Sequence, residues 1–463
     1  MTGSVDLIVI GAGPAGMAAA TEAQSFGLSV LVLDEQTEPG GQIYRNIGRN
    51  GGKSSAFKNI LGRDYLRGRH VAEDFDRAGV EYKSGATVWQ VDPDGAVSYS
   101  HEGVAQQASG KRILLATGAM ERPVPIPGWT LPGVMGAGAA QVLLKSAGAV
   151  PQGKVALAGS GPLLLLVAQQ LIDAGADLVA VLETTQRSDY FRAASKLPQA
   201  LRASDYLRKG ISMRLRVRES KVPIYSGVRG LAAEGGDRVE RLRFRHRGTD
   251  RDVAVDTLLL HEGVVPNLQI TRALGCEHEW FVPQRYWRPV LDDWFNTTVP
   301  SIAVAGDSAG IFGAEAAVLA GRIAALEAAH ALEKLPLAER DSRAAPLRRQ
   351  MSKHLAIRPL LDALFPPNPE TLVPSDDSTV VCRCEEVTAG TIREGVALGG
   401  TGPNQLKSYM RCGMGPCQGR LCGLTVSEII AAARGVSVAD VGYYRIRPPI
   451  KPVTLEELAA FGE

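Results

Sequence analysis

Residues 6–34 constrain the fold more than any other stretch, because they read as strand, glycine turn, helix and strand in succession. VDLIVI is a continuous apolar run, the pattern of a parallel strand buried on both faces. Gly11-Ala12-Gly13-Pro14-Ala15-Gly16 then opens an alanine-rich helix that stops at Gly27, and VLVL leads into Asp34 and Glu35. Gly11 permits the tight turn, Gly13 lets a pyrophosphate approach the backbone, and Gly16 lets helix and strand pack closely. The phosphates are expected at the helix N-terminus, beside Pro14 and Ala15, where free N–H groups and the helix dipole favour anions. Asp34 lies at the distance where a carboxylate accepts the ribose hydroxyls of an adenosine. The acid recognises only those hydroxyls, so FAD, NAD or another dinucleotide fits this unit taken alone.

Further segments specify the flavin. Residues 113–118 (ILLATG) resemble the strand that passes beneath FAD in two-dinucleotide flavoproteins, with Thr117 and Gly118 at its end. Residues 298–326 resemble the C-terminal flavin motif of those proteins, in which the aspartate after Gly306, here Asp307, binds the ribityl chain. Gly40, Gly41 and Gln42 match the glycine pair that skirts the flavin ring. Residues 155–183 repeat the opening unit, VALAG-Ser160-Gly161-Pro162, a helix and LVAVLE, but Leu164 stands where the third glycine belongs. A leucine there pushes helix and strand apart or fills the pyrophosphate space, so this second unit is expected to be degenerate for NAD(P)H. Arginines alternate at 214–218 and 238–247, the period-two pattern of strands with one wet face in an antiparallel meander. His246, His261 and His278 have no ligand-like neighbours in sequence and read as structural.

Near the C-terminus, Cys382 and Cys384 form a C-x-C pair, and Cys412 and Cys417 follow within RCGMGPCQGRLC after 27 intervening residues. Four thiolates suffice for a 2Fe–2S cluster. Zinc is the rival occupant, although C-x-C is tight for it. Cys422 reads as buried and not ligating, and Cys276 as core. Within 463 residues there is room for three compact units. A formal net charge of +2 and 6% aromatics give no footprint for nucleic acid. The longest apolar run, 163–168, is far short of a transmembrane span. The first strand begins close to Met1, so no signal peptide is expected, and six cysteines fit a reducing cytoplasm.

Taken together, the tandem units resemble thioredoxin-reductase-like flavoproteins, but no C-x-x-C lies in either unit to serve a disulfide. GSGPLLLLVAQQL, HEGVVPN at 261–267, the cysteine region and RIRPPIKPVTLEELA resemble something narrower. They are similar to the large flavin/iron–sulfur subunits of opine oxidases, D-hydroxyproline dehydrogenases and hydrogen cyanide synthase, and more distantly to sarcosine oxidase α. The resemblance implies an α/β fold: two Rossmann-like dinucleotide-binding domains, the second inserted in the first, followed by a small helical 2Fe–2S domain like bacterioferritin-associated ferredoxin. It implies Cys382, Cys384, Cys412 and Cys417 as cluster ligands, FAD as cofactor, and a second flavin (FMN) at a subunit interface. It also implies three further components: a D-amino-acid-oxidase-like β subunit, with a small ferredoxin-like γ subunit and a quinone or other carrier as acceptor. Membrane association is implied only through partners. The chain offers no convincing general base or nucleophile, which suits a relay subunit of an amine, opine or D-amino-acid dehydrogenase. A stand-alone NAD(P)H-dependent reductase and a non-catalytic sensor are the alternatives. The expected division is 1–122 with 266–330 for FAD, 150–265 for the second unit, 331–375 as a helical, proline-rich linker, 376–435 for the cluster, and 436–463 as an extended tail strapped over another domain.

Overall fold

The computed structural model describes residues 4–461 and contains two parallel sheets, one for each dinucleotide unit. In the first, strand Val5–Ile10 lies between Val30–Asp34 and Val104–Leu115, with Glu81–Ser84 beyond Val30–Asp34 and Ile302–Val304 paired to Val104–Leu115. The long strand Val104–Leu115 serves two sheets: its first half pairs antiparallel with Ala96–His101, its second half parallel with Val5–Ile10. Gly110 sits at the changeover, where a Cβ would stand 2.8 Å from Ile8 Cγ1. Helices Pro14–Ser25 and Ala314–Ala331 pack against each other through alanines. At Gly321 an added Cβ would overlap the Ala15 carbonyl oxygen, so glycine sets how closely the two helices approach.

The second sheet runs Ile224–Ser226, Leu178–Glu183, Val155–Ser160, Thr257–Glu262, Val134–Gly136, all parallel. It is joined to the first unit by two antiparallel strands, Ala119–Glu121 and Val264–Pro266, so the second unit is inserted in the first as the sequence implies. Its start is earlier than the expected residue 150. Strand Val134–Gly136 joins its sheet and helix Ala137–Ala147 buries Ala137 and Ala140 in its core.

The basic segments divide. Residues 241–246 form the expected strand, with Leu242 and Phe244 buried between exposed arginines. Residues 214–218 are not a strand but belong to the helix Ser204–Glu219. Met213 and Val217, four apart, face the core, and Arg214 and Arg216 pair with Glu183 and Asp173, so the apparent alternation hid a helical period. The segment 331–375, expected as a linker, is packed rather than free: Ile357 and Leu360 share a buried cluster with Ala193, Ala200 and Ala203 of the second unit. The tail does cross the first unit. Ile450 N donates to Trp89 O, Phe461 meets Trp89 edge-on, and short helices Val438–Val441 and Leu455–Ala459 interrupt it. No helix among the described residues is long and apolar enough to cross a membrane.

Candidate flavin and metal sites

Three segments converge on the start of helix Pro14–Ser25. Gly11 has φ +103, and a Cβ there would lie 2.6 Å from Ala116 O, beside Thr117 and Gly118. Gly16 sits against Gly11 O with no room for a side chain. Gly13 instead faces an opening bounded by Gly41, whose added Cβ would be 2.9 Å from Gly13 Cα. Gly306 has φ +77, and its added Cβ would be 2.9 Å from Ala15 Cβ. The loops bearing Gly41 and Gln42, Thr117 and Gly118, and Gly306 and Asp307 therefore surround a helix N-terminus that no side chain among the described residues caps. Its first N–H groups lack intrahelical acceptors and offer themselves to an anion.

Asp34 is buried, and its two oxygens accept from Ala12 N at 2.7 Å and Gln36 N at 2.9 Å. Desolvation raises its pKa against the pull of those bonds. Each oxygen keeps a lone pair, so Asp34 holds the glycine loop and still has acceptor capacity for ribose. Neighbouring Glu35 is paired with Lys451 of the tail at 2.6 Å. Asp307 accepts from Phe312 N and Gly313 N, both at 2.9 Å, and desolvation raises its pKa too. Its bonds shape the entry to helix Ala314–Ala331. Two residues missed in the sequence belong to this site. Asn267 ties down the Thr117–Gly118 turn, its Nδ2 donating to Thr117 O at 2.8 Å and its backbone N to Gly118 O at 3.1 Å. Lys145, from the second unit, donates to Gln42 O at 3.1 Å, Ile43 O at 3.0 Å and Gln141 Oε1 at 2.9 Å. It is buried with no carboxylate partner among the described residues, and desolvation lowers its pKa to about 7. The HEGVVPN motif pointed to the first; nothing local marks the second.

At the crevice by the carboxyl ends of the second sheet, where such folds take ligands, the chain's own groups engage one another. Glu262 is buried there and accepts from Thr184 Oγ1 at 2.8 Å, Ser160 Oγ at 3.1 Å and the backbone N of Asn368 at 3.3 Å. Asn368 belongs to the segment expected as a linker. Glu183, the acid ending the second strand, is engaged by Arg214 at 2.6 and 3.0 Å and by Ser226 Oγ at 2.6 Å. Leu164 is buried in the same unit's core. Both acids at these strand ends are thus engaged within the chain. His261, read as structural, is tied to Glu121 at 2.7 Å.

Five cysteines gather in the C-terminal unit. Cys382 ends strand Val380–Cys382, Cys412 follows helix Pro403–Met410, and Cys422 caps helix Gly423–Arg434. The Sγ atoms of these three lie within 4.8 Å of one another, all buried. Cys384 and Cys417 form a second group with Sγ atoms 3.8 Å apart, Cys384 exposed and Cys417 half-buried. Two thiolates on one tetrahedral metal are about 3.8 Å apart when each bond is about 2.3 Å. The Cys384–Cys417 spacing matches that edge, and the buried trio offers further thiols, so the donor set as a whole has enough sulfur for a two-iron centre. Cys422 is buried as expected, but its thiol is grouped with those of Cys382 and Cys412 instead of standing apart. Cys276 is buried in the first unit's core.

Comparison with known proteins follows the same division. Residues 5–331 match the pyridine nucleotide-disulphide oxidoreductase family, and residues 376–462 match the sarcosine oxidase A3 domain. An opine oxidase subunit of Rhizobium meliloti is 47% identical over 98% of this chain and 87% of its own length. Hydrogen cyanide synthase subunit HcnB of Pseudomonas aeruginosa is 32% identical over 98% of each. Among solved structures, L-proline dehydrogenase from P. horikoshii shares the fold with a TM-score of 0.72 at 20% identity, covering all of this chain and 80% of that one.

Proposed function

The chain belongs to the family of these opine oxidase and hydrogen cyanide synthase subunits, and from that premise we propose that it is the electron-transfer subunit of a heteromeric dehydrogenase acting on C–N bonds. It is an oxidoreductase on a flavin-binding fold. When bound, a flavin takes up electrons in pairs and a 2Fe–2S cluster exchanges them singly. The remaining work is done by the chain's residues. Gly13 and the N-terminus of helix Pro14–Ser25 receive the FAD pyrophosphate, Asp34 the adenosine ribose, and Asp307 the ribityl chain. Cys382, Cys384, Cys412 and Cys417 hold the cluster. Oxidation of the amine, opine or D-amino acid is assigned to a D-amino-acid-oxidase-like β subunit. FMN is proposed at the interface with that subunit, and a small ferredoxin-like γ subunit completes the assembly. The chain then relays electrons to a quinone or another carrier.

The observation that carries this reading is the gathering of five thiols, a buried trio and a pair nearer the surface, in a chain whose second dinucleotide crevice has its acids engaged by the chain itself. An enzyme fed by NAD(P)H needs that crevice; a relay fed by a partner does not. The test is the complex purified anaerobically, with cofactors released for chromatography and metals counted. We expect FAD, two irons and two acid-labile sulfides in this chain, and no rapid flavin bleaching on stopped-flow mixing with NADH. Zinc in place of iron, or fast bleaching, defeats the reading.

A further inference from the structure

We propose that Tyr444 raises the reduction potential of the cluster by donating a hydrogen bond from its hydroxyl to the Cys412 sulfur. The inference rests on the reading of Cys382, Cys384, Cys412 and Cys417 as ligands. Tyr444 Oη lies 3.5 Å from Cys412 Sγ in a buried setting. The ring is held by its surroundings. It packs against Gly413 and Gly419, which have φ of +83 and +79, and a Cβ at Gly413 would stand 2.5 Å from Tyr444 Cζ. The GMGPCQG loop is therefore glycine at these two places partly because a tyrosine ring covers it. Lys407 Nζ lies 4.6 Å above the ring, where its charge draws electron density from the π face and makes the hydroxyl a better donor.

The chemistry gives the sign. Reduction adds a negative charge that is shared with the thiolate sulfurs, so a donor aimed at one of them stabilises the reduced form more than the oxidised form. A tyrosine serving only to fill the core would do as well as phenylalanine, and its hydroxyl would be sent to a backbone carbonyl. The adjacent Tyr443 does that, with its hydroxyl 3.4 Å from Gly419 O. The two residues are thus a natural pair of the same chemistry, the buried one bonded to sulfur and the half-buried one to carbonyl oxygen.

The experiment is a redox titration of the cluster in the intact complex, followed by its EPR signal, for wild type, Tyr444→Phe and Tyr443→Phe. Tyr444→Phe is expected to keep two irons and two sulfides while its reduction equilibrium shifts about tenfold toward the oxidised form, 59 mV for a one-electron couple. Tyr443→Phe is expected to leave the potential where it was. An unmoved potential in Tyr444→Phe, an equal fall in both variants, or loss of the cluster from Tyr444→Phe overturns the assignment. A wild-type chain without iron and sulfide overturns the ligand reading instead, and the metal count separates that result before any titration begins.

Discussion

Arg285 and Glu428 join the cysteine unit to the first dinucleotide unit, and removing one of them should cost far more than removing both. Arg285 precedes strand Tyr286–Pro289, and its Nε donates to Glu428 Oε1 at 2.6 Å while Nη2 bonds Oε2. Glu428 lies on the helix capped by Cys422, with its side chain 3% exposed against 37% for Arg285. Arg285→Ala strands a carboxylate that water cannot easily reach. A fully buried broken pair costs about 3–5 kcal/mol; with one partner more than a third exposed we take about 2–3 kcal/mol. That multiplies the population of the undocked state by roughly 30–150-fold. Replacing both residues with leucine strands no charge and should recover most of the loss. Limited proteolysis of the 373–380 segment, under conditions where cleavage tracks the open population, reads this directly. A double variant as protease-sensitive as Arg285→Ala, or a single variant no more sensitive than wild type, refutes the reasoning.

Three further outcomes are expected. Cys417→Ser should lose the cluster's visible absorption and EPR signal, because Cys384 has no other thiol partner at the 3.8 Å of Cys417 among the described residues, and under the proposed ligand set Cys422→Ser should keep both; the reverse would move the fourth ligand. Asp34→Ala leaves Ala12 N without its buried acceptor and removes the ribose acceptor, costing about 1–3 kcal/mol in dinucleotide binding, to be read as flavin lost on gel filtration. Lys145, with its folded pKa lowered to about 7, binds a proton more readily when unfolded, so its contribution makes stability rise between about pH 7 and the ordinary lysine value near 10.5. Lys145→Met should flatten that slope in urea midpoints measured across the range, and an unchanged slope would show that the amine is hydrated.

The parts of the fold governed by local rules could be read from the chain. The Gly11–Gly16 turn, the parallel strands flanking it and the alternation at 241–246 are each set by neighbours within a few residues, and each stands where the pattern puts it. What escaped reading depends on partners far along the chain. The stretch at 214–218 has both a two-residue and a four-residue period, and only Met213 and the acids Glu183 and Asp173 choose the helix. Lys145 reaches Gln42 across 103 positions, and Asn368 reaches Glu262 across 106. Cys422 reads in the sequence as buried and not ligating, while the path of residues 411–422 brings its thiol to Cys382 and Cys412.

The second dinucleotide unit is tied by hydrogen bonds and packing both to the first unit and to the segment that follows it. Lys145 and Asn50 meet where the two units face each other at the flavin-side loop, Asn50 Nδ2 donating to Lys145 O at 2.8 Å. Gln170 Nε2 reaches Leu61 O at 3.3 Å, and Lys209 pairs with Asp64 at 2.5 Å. Segment 356–370 then runs over the same unit, burying Ile357 and Leu360 and setting Asn368 against Glu262, before the chain enters the cysteine unit. Under the function proposed above, each of these contacts would help fix the distance between the flavin and the cluster by fixing the path from residue 331 to Cys382. The buried carboxylate of Glu262, met by three donors from the chain itself, ties Asn368 of this segment to Ser160 and Thr184 of the second unit.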